Sequence, residues 1–142
     1  MSFWFRRLLI RPPKLQNLET GQAGEEWVAY LYRLKGHRIL ARNFAIYGQK
    51  KLGELDIICV LGKKLVIVEV KTRGSEDFLS LEETVNYRKR QYLRRMARLY
   101  LYKYPEFGDF DVQIDVAGVL FDPVDKKIKS VRIIENAIED SD

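Results

Sequence analysis

The chain has 142 residues, 46% of them hydrophobic and 32% charged, a balance that builds one soluble globular domain and excludes a disordered chain. One Cys and one His exclude an intramolecular disulfide and a Cys/His zinc site within the chain, and they fit a reducing compartment, the cytoplasm. The formal net charge is +5, and the last ten residues hold Glu135, Glu139, Asp140 and Asp142 without Lys or Arg, so the remainder carries +9; a basic body of this kind suits a polyanionic partner.

Residues 1–16 read as a basic, aromatic arm. Its apolar runs are broken by Arg6, Arg7 and Arg11, too short for a signal-peptide core, and Pro12-Pro13 ends it. No stretch approaches the ~20 apolar residues that span a bilayer. From about Asn17 to Lys35, Ala23, Trp27, Leu31 and Leu34 recur at helical spacing, with Tyr30 beside them and Gly36 as a C-terminal stop. On that stripe Glu25 points away from the core. Arg38 to Ile46 reads as a strand, and Tyr47 to Lys51 as a loop carrying Lys50 and Lys51.

Leu52 to Arg73 is the densest stretch: two strands around Gly62-Lys63, where glycine at the first central position suits a type II′ turn. This register sets Val60 against Leu65, Asp56 against Glu69 and Glu54 against Lys71. Side chains alternate, so Glu54, Asp56 and Ile58 share a face, as do Ile67, Glu69 and Lys71. Asp56 and Glu69 then stand with Cβ atoms about 5 Å apart, an arrangement of like charges that needs compensation. A divalent cation, magnesium with manganese as its substitute, supplies it, because hard cations take carboxylate oxygens. Lys71 is placed to neutralise the pair or to orient a water. The alternative is a solvated rim of ion pairs at a sheet end.

Thr72 to Leu79 reads as a loop. Ser80 and Glu83 form a capping box that opens one long helix running to about Lys103, ahead of Pro105. Val85, Tyr92, Met96 and Leu99 form its core stripe, with Leu93 and Tyr100 beside them. Arg88, Lys89, Arg90, Arg94, Arg95 and Arg98 give it six basic groups, open to two readings: phosphate contacts or a solvated face. Phe110 to Val116 alternates as a half-buried strand, Asp122 to Asp125 turns, and Lys127 to Ile134 is a last strand. The order gives an α/β domain over 17–134, a mixed sheet flanked by helices, with an acidic tail over 135–142.

Gly24-Glu25, Gly36, Ile39-Leu40, Arg42-Asn43, Gly53-Glu54-Leu55-Asp56 and Val68-Glu69-Val70-Lys71-Thr72-Arg73 resemble the YraN-like family of small bacterial proteins, which is similar to PD-(D/E)XK nucleases of the restriction-endonuclease-like fold. The likeness extends through Val85 and Lys89 to Ile114-Asp115-Val116 and Glu135-Asn136-Ala137. It departs at Leu55, which replaces the superfamily's proline, and at Ile133, where a histidine is expected. The resemblance implies a restriction-endonuclease-like fold and a magnesium-dependent endonuclease that hydrolyses DNA, with branched or structured DNA as a candidate substrate. It implies Asp56, Glu69 and Lys71 as the catalytic core with Glu25 as a helical acid. The ion would rest on Asp56, Glu69 and the Val70 carbonyl, and nucleic acid on Lys50, Lys51, Lys89, Arg94, Arg95 and Arg98. A second copy of the chain is a further candidate partner. Two rivals stand beside the nuclease: an inactive nucleic-acid-binding module, and a protein-interaction factor using the N-terminal arm.

Overall fold

A computed structural model of the chain describes residues 9–74 and 80–138. Residues 1–8, 75–79 and 139–142, which include most of the expected arm, part of the expected loop and the end of the expected tail, lie outside the described residues. The elements in order are α1 (Thr20–Leu34), β1 (Arg38–Tyr47), β2 (Lys51–Leu61), β3 (Lys64–Arg73), α2 (Leu81–Thr84), α3 (Tyr87–Lys103), a 3₁₀ turn (Pro105–Phe107), β4 (Asp111–Asp122) and β5 (Lys127–Ile134). The five strands form one sheet in chain order. Pairings are antiparallel except β3 with β4, which run parallel because α2 and α3 carry the chain across between them. This is a single-domain α/β architecture, a mixed sheet between helices, consistent with the restriction-endonuclease-like fold. Leu15 and Ile138 are both buried, so the packed body reaches beyond 17–134 at each end.

The hairpin keeps the expected register, from Leu61 against Lys64 to Ile57 against Val68. Gly62 turns it at φ +59°. Two apolar layers cover the sheet. On one face Val28, Ala29 and Tyr32 of α1 pack on Ile57, Cys59, Val66, Val68, Ala117 and Val119. On the other, Leu93, Met96, Ala97 and Tyr100 of α3 pack on Ile58, Leu65, Ile67 and Ile114.

Three expectations change. The buried face of α1 is Ala23, Gly24, Val28, Ala29 and Tyr32, while Trp27, Tyr30, Leu31 and Leu34 are half-buried. The small residues let the helix sit close to β3, and Tyr32 is drawn in by a 2.5 Å hydrogen bond to buried Asp115. The long helix is broken at Val85-Asn86: the Ser80/Glu83 capping box closes the short α2, and the Asn86 side chain accepts from Lys89 N–H to start α3 afresh. Strand β4 is buried on both faces through its middle, not half-buried. Asp115 there accepts from Tyr32, from Gln113 Nε2 and from the Asn136 backbone N–H. Asn136 at φ +49° and the Ala137 N–H bond to the Ile114 carbonyl tie the chain end to β4. The Ile114-Asp115-Val116 and Glu135-Asn136-Ala137 likenesses are therefore structural features.

Candidate active site

Two glycines set the site. A Cβ on Gly24 would stand 1.8 Å from Thr72 Oγ1, so α1 lies directly against β3. A Cβ on Gly53 would stand 2.6 Å from both Met96 Sδ and the Tyr92 hydroxyl, so α3 lies directly against β2. Each glycine is followed by a glutamate, Glu25 or Glu54, which close helix–sheet contact carries toward the same end of the hairpin.

Alternation fails at that end. Leu55 packs in the α3-side layer beside Ile58, whereas Ile57 packs in the α1-side layer. On β1, Asn43 holds φ +48° between the pairs Arg42–Ile57 and Phe44–Leu55, opposite Asp56. A left-handed residue there turns Arg42 toward Glu26 of α1, 3.0 Å away, and Phe44 toward Tyr100 of α3. The expected common face of Glu54, Asp56 and Ile58 is lost to this twist. The β2–β3 ladder ends at Ile57–Val68. Beyond it Asp56 Oδ2 accepts from the Val70 N–H at 2.8 Å, a side-chain bond where a ladder carbonyl would otherwise serve.

Glu69 is only 5% exposed. Its Oε1 meets two ammonium groups, Lys89 Nζ at 2.6 Å and Lys71 Nζ at 3.4 Å. Glu54 is not the partner expected for Lys71: its carboxylate pairs with Lys51 at 2.8 Å. Its backbone is held by Tyr92, whose hydroxyl accepts from Glu54 N–H and donates to Glu54 O.

Burial pushes the Asp56 carboxyl up to about 7, and neighbouring Glu69 and Glu25 push the same way against the Val70 N–H and Lys89. Glu25 is raised chiefly by burial, and Glu54 and Glu69 add to the shift, while a hydrogen bond to Asn43 and the Arg42 charge oppose it. The three acids thus feel one another across the end of the sheet. Among the described residues no set of three or more His, Cys, Asp or Glu side chains stands at metal-holding distance, so Glu25 surrounds the Asp56–Glu69 pair without closing a ligand set. One buried and one half-buried carboxylate suit a hard divalent ion that keeps waters in its shell.

The raised Asp56 carboxyl has a thermodynamic sign. The folded chain holds this proton more tightly than the unfolded chain, so the stability it contributes is full below about pH 4 and is lost as pH rises through about 7. Asp56→Asn is neutral throughout. Its melting temperature relative to wild type should rise from about pH 4 to about pH 8, by the equivalent of roughly 1–3 kcal/mol without divalent ions. A pH-independent difference would place Asp56 in a more solvated setting.

The residues expected to touch nucleic acid are not gathered on one surface. Lys50 is exposed; Lys51 is exposed and paired with Glu54; Lys89 turns in to Glu69. Arg94 is only 8% exposed and lines a cavity with Ala97, Arg98, Leu101 and Asp111. Arg95 and Arg98 are exposed, with Arg98 roughly 13 Å along the helix from Lys89. Next to Lys89, which reaches Glu69, a shallow, open depression is lined by Thr84, Asn86, Arg88, Lys89 and Tyr92. From the sequence Tyr92 reads only as core and Asn43 only as part of the family likeness, with neither tied to the acids. The spacing of Lys89, Tyr92 and Met96 on one helix face, opposite a strand glycine, was the available signal.

The fold is that of a small single-domain α/β protein, a five-stranded mixed sheet between helices, consistent with the restriction-endonuclease-like fold. The profile of the family described as uncharacterised protein family UPF0102 matches residues 24–119. The chain is similar to a UPF0102 protein of Syntrophomonas wolfei, 41% identical over 115 residues, 81% of this chain and 96% of the relative. It is also similar to one of Alkaliphilus oremlandii, 37% identical over 123 residues, 85% of this chain and 98% of the relative. The chain belongs to the UPF0102, or YraN-like, family. No helix among the described residues is long and apolar enough to cross a membrane.

Proposed function

We infer that the protein is a magnesium-dependent endonuclease that hydrolyses phosphodiester bonds in DNA, acting in the cytoplasm. The observation that carries this reading is the Asp56–Glu69 pair: two acids set together at the splayed end of a hairpin, one held up to about 7 and the other buried against Lys71 and Lys89. A structural ion-pair rim would be solvated and would need no such burial. Asp56, Glu69 and the Val70 carbonyl would hold the ion. Magnesium there supplies Lewis acidity toward a phosphoryl oxygen and lowers the pKa of water. Lys71, part-exposed at the mouth, positions the attacking water and offsets charge developing on the phosphate. Glu25 tunes the acids by its charge. The net positive body supports a nucleic-acid substrate.

A magnesium-dependent cleavage assay on plasmid and branched DNA tests this. Glu69→Ala and Asp56→Asn should each lose cleavage while keeping the fold. Equal cleavage in all three proteins would assign the activity to a contaminant. A second reading has its own support: two lysines already compensate Glu69, as in a module that binds nucleic acid without cutting it. Salt-dependent binding with no turnover over several metals would favour that module.

A further inference from the structure

Lys89 is closer to Glu69 than Lys71 is, although it comes from the opposite side of the core. Both ammonium groups approach the same oxygen, Oε1. Their surroundings differ. Lys71 is carried by β3, where it pairs with Gly118 of β4. Lys89 sits in the first turn of α3, with its Nζ 4.8 Å from the centre of the Tyr92 ring. Both side chains are part-exposed, Lys71 at 30% and Lys89 at 25%, but of the two only Lys89 borders the shallow, open depression that it shares with Asn86, Arg88 and Tyr92.

Charge decides which state each condition favours. With no divalent ion, Glu69 is a buried anion and needs a close cation; an unpaired buried charge is costly. A divalent ion on Asp56 and Glu69 adds two positive charges where two ammonium groups already stand. Like charges repel strongly at such separations, and the group with an open exit leaves. The ammonium has open space on the side where Arg88 lines the same depression.

We propose that Lys89 is a resident counter-cation of Glu69 which a divalent ion displaces into the Asn86–Arg88–Tyr92 depression, where it binds the phosphate backbone of the nucleic-acid substrate. This makes metal loading and substrate binding reciprocal, because each favours the same position of one side chain. The inference rests on the metal site proposed above, and its test separates the two.

The first measurement is Mn²⁺ binding by calorimetry with no nucleic acid present. Lys89→Met removes the competing cation and should tighten Mn²⁺ about tenfold. Lys89→Arg keeps a cation and should stay near wild type. Arg88→Ala should leave Mn²⁺ affinity unchanged. The second measurement is anisotropy of a labelled, cleavage-resistant phosphorothioate duplex. Mn²⁺ should raise wild-type affinity severalfold, and this gain should vanish in Lys89→Met; Arg88→Ala should weaken duplex binding with and without the ion.

If Glu69→Gln loses Mn²⁺ while Lys89→Met binds it no tighter than wild type, the metal site stands and the role of Lys89 is overturned. If Glu69→Gln binds Mn²⁺ as wild type does, the metal site itself fails and takes this inference with it. Should Lys89→Met not fold, the wild type gives the answer: Mg²⁺ should shift the Lys89 ε-methylene NMR signals and should not do so in Glu69→Gln. Unmoved signals in the wild type, with Mg²⁺ bound, overturn the proposal.

Discussion

Lys71→Ala should keep its fold and its metal affinity and lose DNA cleavage by ~10²–10³, equivalent to roughly 3–4 kcal/mol of transition-state stabilisation. The structure sharpens this expectation. The hairpin register sets Glu54 against Lys71, which would make Lys71 a structural counter-ion. Glu54 instead pairs with Lys51, and Lys71 lies 3.4 Å from Glu69. Lys89 holds the same Glu69 oxygen at 2.6 Å, so removing Lys71 leaves the buried acid compensated. Loss of a part-exposed ion pair costs only ~0–1 kcal/mol, and the melting temperature should barely move. Asp56 and Glu69 remain, so Mn²⁺ affinity should hold. Preserved folding and metal binding with abolished cleavage marks Lys71 as catalytic. Undiminished cleavage removes it from the mechanism. A loss of metal affinity comparable to that of Glu69→Ala would make Lys71 part of the metal site, against the separate roles argued above for the two lysines.

Local chemistry made the hairpin legible. Gly62 can take φ +59° without strain, the apolar run from Leu65 to Val68 demands burial, and together they fix which residues face each other. The Asp56–Glu69 juxtaposition follows from that register. What failed was strict alternation, because it assumes that both strands keep their pleat. Asn43 at φ +48° and the end of the ladder at Ile57–Val68 break the pleat where the site begins. Asparagine visits this conformation more readily than most residues, but nothing local says that it does so in a given strand.

The helices were legible as helices, and the core stripe of α3 is the expected one, but the face of α1 was misread. In α1 the large residues Trp27, Leu31 and Leu34 drew the stripe, yet the buried ridge is made of Ala23, Gly24, Val28, Ala29 and Tyr32. Hydrophobic size marks a core face only when the partner leaves room, and here α1 lies so close to β3 that small residues are selected. The correct face also carries Glu25, which shares a ridge with Val28, Ala29 and Tyr32 at spacings of three, four and seven. The burial of Arg94 was not legible for a related reason: a long guanidinium can bury its stem along a core edge, so a basic residue on a helix is not thereby fully exposed.

Gly24→Ala is expected to destabilise the protein by roughly 2–4 kcal/mol, although helix propensity alone favours alanine by about 1 kcal/mol. The added Cβ would lie 1.8 Å from Thr72 Oγ1, 2.8 Å from its Cβ and 2.9 Å from its Cγ2. A long, flexible neighbour could swing aside. Threonine is branched at Cβ and stiff, and its backbone is laddered to Val119 of β4. The relief left is for α1 to ride outward, which loosens Val28 and Ala29 from the sheet and strains the Tyr32–Asp115 hydrogen bond. Glu25 would move with the helix. Denaturation midpoints for wild type, Gly24→Ala and the double variant Gly24→Ala/Thr72→Ala check this. Thr72→Ala removes Oγ1 and Cγ2 and leaves Cβ, so the double variant should recover part of the loss and not all of it. Gly24→Ala at wild-type stability would show slack between α1 and β3. The glycine would then matter only as the residue before Glu25, and cleavage in Gly24→Ala should match wild type as well.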